Sequence, residues 1–384
     1  MTRAPGAIGG AATAASLARL GAPVPTVEAP STTALLGWAA ARGRVRSGMS
    51  DVARIAFVGD SKTVGAGAGT GSTFTVGAFA RSRPARVAAL LAAAGLTTRT
   101  DAFFGCAGFG SIADVLAYDP RRSGFAGWGG GSNSLGGAMM SAGNANPGQF
   151  QPGGPVDRCS VFVRNGSDRP AFTVTKGSES VTLTPSGASG GFARLEATFA
   201  TRDAAPIAIA RTGTAGNLQL AGMIAWDSTR PGVEIVNFGV YGVVSGFQAD
   251  MTNAFSPANA LATYAPHLTI VNLGTNDSAQ GLAITTWLAN IRTIVQQARP
   301  SGSVILTWPA VGGVGAAGGS DANRAQWRSA LRALALDNEC LFIDEEAMLG
   351  GRAIAQASGA FADSLHEAVW AYDVQAAAIA RAIL

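Results

Sequence analysis

Four short apolar runs punctuate the chain: Ile55–Val58, Leu268–Leu273, Ser303–Thr307 and Cys340–Ile343, each followed by a polar or glycine-containing turn. Runs that lack polar alternation suit strands covered on both faces, as in a parallel sheet flanked by helices. Helical spacing fills the intervals. It covers Pro84–Ala94 (Val87, Leu90 and Leu91 on one side), Thr285–Ala298 (Trp287, Leu288, Ile291, Ile294 and Val295), Asn323–Leu336, and a last helix over Ala368–Leu384. This alternation predicts a doubly wound α/β domain.

The middle of the chain has a different rhythm. From Ser123 to Gly154 there are 11 glycines in 32 residues, after which apolar residues alternate with polar ones: Val161/Val163, Phe172/Val174, Val181/Leu183, Leu195/Ala197/Phe199, Ile207/Ile209 and Leu218/Leu220. Turn signals such as Asn165-Gly166 and Lys176-Gly177 separate them, which predicts a small antiparallel sandwich over residues 112–231. The expected organisation is therefore an α/β domain in two pieces, 51–111 and 232–384, interrupted by an all-β insert. Residues 1–50 are rich in Ala, Pro and Thr, with one helix expected at Thr33–Arg42 and ended by Gly43. They read as a tether or docking segment.

Composition narrows the function. The 384 residues are 47% hydrophobic and 14% charged, too apolar for a disordered chain. The net charge of +4 comes almost wholly from scattered arginines. No basic cluster forms, which argues against nucleic-acid binding. Three cysteines without a CxxC pair and only two histidines, His267 and His366, give no zinc signature and no disulfide framework. No apolar run approaches the ~18 residues of a membrane span. Ala7–Leu20 lacks the unbroken apolar run of a signal peptide, so the compartment is open, an extracellular or particle-associated location included.

Candidate chemistry lies in the loops after the predicted strands. Ligands of such sheets bind beyond the carboxyl ends of the strands, and three segments of polar residues fall there or near the C-terminus: Gly59-Asp60-Ser61, Gly274-Thr275-Asn276-Asp277 and Asp363-Ser364-Leu365-His366. A serine hydroxyl becomes a competent nucleophile only when a base takes its proton and a third group holds that base in one tautomer. Asp363, three residues before His366, can reach the far nitrogen of the imidazole.

These segments, in this order, resemble the SGNH (GDSL) hydrolase family. A further block, Asn237-Phe238-Gly239-Val240-Tyr241-Gly242 after Val233–Val236, is similar to that family's Asn-x-x-x-x-Gly. The resemblance covers both α/β pieces and extends to the insert, since some members carry a jelly-roll-like, carbohydrate-binding module after the first strand–helix unit. It implies a flavodoxin-like three-layer α/β/α domain with a parallel sheet and a jelly-roll-like sandwich insert. It further implies Ser61 as nucleophile, His366 as general base, Asp363 as its orienter, and an oxyanion hole from Ser61 N–H, Gly242 N–H and the Asn276 amide. No metal or organic cofactor is implied.

The sequence departs from the family pattern at three positions. Lys62 replaces the Leu of GDSL, which leaves the mechanism untouched. Glu367 stands where Pro is frequent, so a less rigid loop is expected, and Tyr241 replaces a small residue and is expected to narrow the site. Gly105–Gly110 offers a rival oxyanion glycine, but the asparagine spacing favours Gly242. The Gly65–Gly69 run starts too far after its strand for a dinucleotide fingerprint, and reads as a loop beside the nucleophile. His267, at a strand start, reads as structural.

In the insert, Tyr118, Phe125, Trp128 and Trp226 are either stacking platforms for a glycan or core. The function that follows is a serine esterase cleaving acyl esters, acetyl foremost, on an O-acylated carbohydrate or small ester through an acyl-Ser61 intermediate. The alternatives are a glycan-binding adhesin or virion tail component with a secondary hydrolase domain, and a lipase or thioesterase. The acyl group, the glycan and the oligomeric state are not legible in the sequence.

Overall fold

A computed structural model describes residues 27–384, apart from 70–74, 188–189, 215 and 312–320. The expectation for Ala7–Leu20 lies outside the described residues. The apolar runs form the centre of a seven-stranded sheet in the order Val27–Glu28, Leu341–Asp344, Ser303–Trp308, Leu268–Asn272, Val52–Gly59, Gly232–Gly239, Thr98–Arg99. All neighbours pair in parallel except Val27–Glu28, which is antiparallel at one edge.

Every residue of Leu268–Asn272 and of Ser303–Trp308 is buried, as strands sandwiched between helices must be. Alternate residues serve opposite layers. Ile55, Phe57, Ile270 and Ile305 pack with Trp38, Val87, Leu91 and Ile379. Val58, Val271 and Leu306 pack with Trp287, Ile291, Ile294 and Leu331 on the other face. The helices Arg83–Ala93, Ile284–Ala298, Asp321–Asp337 and Val369–Ile383 lie within a few residues of the predicted spans. The architecture is a three-layer α/β/α domain.

Of the segment read as a tether or docking segment, the part from Val27 on packs on that domain. Val27–Glu28 extends the sheet and Leu36–Arg46 is a helix. Trp38, Ala41 and Val45, at spacings of three and four, bury one stripe against the sheet. Gly43 does not end this helix, because packing of the stripe outweighs the roughly 1 kcal/mol that a glycine costs mid-helix.

The middle of the chain forms two antiparallel sheets. One holds Glu179–Leu183, Phe172–Lys176, Ile207–Arg211, Gly148–Phe150 and Arg122–Gly124; the other Phe192–Asp203, Val156–Arg164, Leu218–Trp226, Gly137–Ala142 and Trp128–Ser134. Their facing residues, among them Phe150, Phe172 and Ile209 against Met140, Val161 and Met223, share one core. Four of these strands come from the glycine-rich stretch. Ladder hydrogen bonds need no side chain, so periodicity could not reveal them. Ala102–Phe104, expected in the first α/β piece, pairs with Leu218–Trp226. Conversely, the helix Ile112–Tyr118 reaches back, its Tyr118 hydroxyl donating to the Val64 carbonyl (2.9 Å). Tyr118, Phe125, Trp128 and Trp226 are all buried. They pack as core aromatics, although Trp226 also lines a surface cavity.

Candidate active site

Val52–Gly59 lies in register between Leu268–Asn272 and Gly232–Gly239, so the segments that follow these three strands share one rim. The chain turns at once from Gly59 into the helical turn Ser61–Val64. A Cβ at Gly59 would meet Thr63 Oγ1 at 2.1 Å and the Asn272 carbonyl at 2.7 Å, so only glycine fits there. Asp60 caps the turn, its carboxylate accepting the Lys62 amide (3.0 Å). Ser61 is thereby held at the start of the turn, 3% exposed.

Asp363 and His366 sit on a narrow loop closed by the Phe361–Glu367 bridge and by the Ala362 amide donating to the His366 carbonyl (2.9 Å). Asp363 Oδ1 accepts the amides of Leu365 and His366, each at 2.6 Å, and Oδ2 lies 2.8 Å from His366 Nδ1. His366 Nε2 lies 2.9 Å from Ser61 Oγ. A carboxylate can only accept, which puts the imidazole proton on Nδ1 and leaves Nε2 to accept from the serine. Burial, first, and then Lys62 lower the pKa of His366, against the raising pull of Asp363 and Glu367. Burial alone would raise the Asp363 carboxyl, but its bonds to His366 and the loop amides hold it below the usual range.

Gly242 and Asn276 are brought to one place. The Asn276 amide donates to the Val243 carbonyl (2.7 Å), next to Gly242 in sequence, and the Val240 amide donates to Gly59 (3.1 Å), just before the nucleophile. Gly242 has φ +74°, a backbone state that favours glycine. The rival glycine segment packs beneath instead. A Cβ at Gly108 would lie 2.7 Å from the Tyr241 carbonyl, and Ala107 accepts the Tyr241 amide (2.8 Å). Tyr241, 36% exposed, stacks beside His366 with ring centroids 6.0 Å apart.

Two further residues position the site, Asn237 from the quoted block and Gln248, which no motif singles out. Asn237 accepts the Gly239 amide and donates to the Thr63 carbonyl (2.9 Å each), so the block's asparagine braces the nucleophile turn. Buried Gln248 donates to the Gly59 (2.9 Å) and Phe238 (3.1 Å) carbonyls.

At Glu367, where a less rigid loop is expected, the loop is tied to the nucleophile turn. The Glu367 carboxylate and Lys62 form a wholly buried ion pair (3.0 Å). The Gly65–Gly69 run packs on the same loop, where a Cβ at Gly67 would meet the Glu367 carbonyl at 2.4 Å. His267 is remote from this rim, its Nδ1 accepting the Arg54 amide (2.9 Å) at the start of a strand. Among the described residues no group of three or more His, Cys, Asp or Glu could hold a metal ion, and no helix is long and apolar enough to cross a membrane.

An Asp–His–Ser hydrogen-bonded chain on the carboxyl rim of an α/β/α sheet is an arrangement suited to acyl transfer through a serine. Residues 209–371 match the GDSL-like Lipase/Acylhydrolase family. That match begins within the insert and does not include Ser61. No curated protein matches the sequence. A solved peptidoglycan O-acetylesterase is similar in fold, at 16% identity over 93% of this chain and 97% of that one, with a TM-score of 0.68. An acetylxylan esterase from Geobacillus stearothermophilus shares 18% identity over 40% of this chain and 74% of that one (TM-score 0.34). A family two carbohydrate esterase from Clostridium thermocellum shares 9% over 73% and 97% (TM-score 0.31). The chain carries an SGNH (GDSL) hydrolase domain with a β-rich insert and is an ester hydrolase.

Proposed function

We propose that the enzyme removes acetyl groups from an O-acetylated carbohydrate through an acyl-Ser61 intermediate. The observation that carries this reading is the His366 imidazole, 2.9 Å from Ser61 Oγ and 2.8 Å from Asp363 Oδ2. His366 Nε2 takes the hydroxyl proton as Oγ attacks the ester carbonyl. The carbonyl oxygen becomes an oxyanion, facing the N–H groups of Ser61 and Gly242 and the Asn276 amide. Collapse breaks the ester C–O bond, and the proton on Nε2 passes to the departing sugar oxygen. Water, deprotonated by the same nitrogen, then attacks the acyl-enzyme and releases acetate and free Ser61. Asp363 stays ionised throughout and stabilises the imidazolium.

A sugar ester suits the polar groups placed near Ser61, the Tyr241 side chain stacked beside His366 and the Asn276 amide. The fold shared with a peptidoglycan O-acetylesterase makes an acetylated polysaccharide the substrate to assay first. Acetate release from O-acetylated polysaccharides and from an aryl acetate, wild type against Ser61→Ala, is the test. Turnover of both by the wild type and of neither by a folded Ser61→Ala is expected; undiminished release by the variant would refute the assignment.

A further inference from the structure

The residues directly after the nucleophile and after the histidine, Lys62 and Glu367, are fully buried and paired with each other at 3.0 Å. Lys62 Nζ also donates to the Leu365 carbonyl (2.6 Å). One ammonium, carried on the Ser61 turn, therefore grips the histidine loop on both sides of His366. Glu367 is anchored in turn, its other oxygen accepting from Gln375 (3.4 Å), whose Oε1 accepts from Arg83 (2.9 Å). Arg83 pairs with Glu345 (3.0 Å), which accepts from Asn272 (3.0 Å). This chain of buried polar groups joins the nucleophile turn, the last helix and the carboxyl rim of the sheet.

A buried ion pair is poor value for stability alone. Well-packed apolar residues of similar volume often do as well or better, while removal of one partner strands a charge. Placement beside the two groups whose separation decides proton transfer calls for a geometric explanation. We propose that the Lys62–Glu367 pair is a positioning device that clamps the His366 loop to the Ser61 turn at proton-transfer distance. This rests on the reading of Ser61, His366 and Asp363 as the catalytic chain.

Among the described residues, the groups that face His366 include Asp363 and Glu367 on its own loop, Lys62 from the nucleophile turn, and Tyr241 from the loop after Gly232–Gly239. Lys62 lowers the imidazole pKa and Glu367 raises it. The two single variants should consequently move the pH profile in opposite directions while both lose rate.

The experiment compares Lys62→Met, Glu367→Gln and the double variant, measuring kcat, KM and the acid limb of kcat/KM on an aryl acetate together with thermal stability. Misplacement of a catalytic group by about 1 Å costs on the order of a hundredfold, so each single variant should lose roughly that in kcat with KM little changed. The acid limb should move to higher pH in Lys62→Met and to lower pH in Glu367→Gln. The double variant, which strands no charge, should regain stability and stay slow. Recovery of both stability and rate in the double variant, or wild-type kcat in a folded single variant, would overturn the proposal. If the single variants do not fold, the double variant decides. Labelling of Ser61 by a fluorophosphonate separates the two levels. An unlabelled wild type would refute the catalytic reading itself, whereas labelling as fast in the double variant as in the wild type would refute the clamp alone.

Discussion

The two histidines show how burial acts differently with different partners. His366 is buried, and its pKa lies below the ordinary 6.5 although Asp363 pulls it up. A general base must be neutral, so the acid limb of kcat/KM is expected to have its midpoint below 6.5, and a pH–rate profile on an aryl acetate reads it directly. Among the described residues His267 has no carboxylate partner; burial first, then Arg54 and Arg44, push it down to about 4. Its neutral form accepts the Arg54 amide (2.9 Å). Because the folded pKa lies below the unfolded value, protonation favours the unfolded chain. The stability contributed by neutral His267 is present above pH 6.5 and is lost as pH falls through about 4. His267→Asn, whose Oδ1 can take the place of Nδ1, should flatten thermal stability over that window, as a comparison of melting curves from pH 7 to 4 would show. Equal slopes would mean that His267 does not titrate between the two states.

At the scale of elements, the helix expected near Thr33–Arg42 is found at Leu36–Arg46, running past Gly43, and its packing has energetic consequences. Trp38 is 1% exposed, and its indole N–H donates to the Ile383 carbonyl (2.7 Å) at the end of the last helix. Trp38→Ala should lower the unfolding free energy by about 3–5 kcal/mol, the usual cost of truncating a buried tryptophan, measured by urea denaturation. A loss within about 0.5 kcal/mol would fit the tether reading instead. Strands with continuous apolar runs were legible in the sequence because burial on both faces leaves a plain signature, and the helices because their stripes repeat. The strands between Arg122 and Phe150 were not, since glycine has no side chain to alternate. Of the site, Ser61, Asn276, Asp363 and His366 could be named from motif order. Asn237, Gln248 and the Lys62–Glu367 pair act through contacts between distant segments, 305 residues apart for the pair, which local spacing does not encode.

At the scale of the whole molecule, the insert and the α/β domain share a core rather than meeting at a loose hinge. Phe104, just ahead of the insert, lies against Phe162 of the insert (ring centroids 5.2 Å) and Phe238 of the parallel sheet (4.7 Å), and Tyr264 closes on Phe238 at 5.2 Å. Behind these rings the Tyr264 hydroxyl donates to buried Glu234 (2.6 Å), which pairs with Arg54 (3.6 Å). Contacts of this kind couple the stabilities of the two parts, because opening either exposes apolar surface of both. Phe162→Ala, a change wholly within the insert and far along the chain from Ser61, is thus expected to cost about 3–5 kcal/mol and to lower the unfolding midpoint of the hydrolase domain with it. Urea unfolding followed in parallel by near-UV circular dichroism and by esterase activity would show one shared midpoint, displaced by the same amount in the variant. Separate midpoints, with activity outlasting the aromatic signal, would make the insert an independent module and remove the reason to expect that it influences the site.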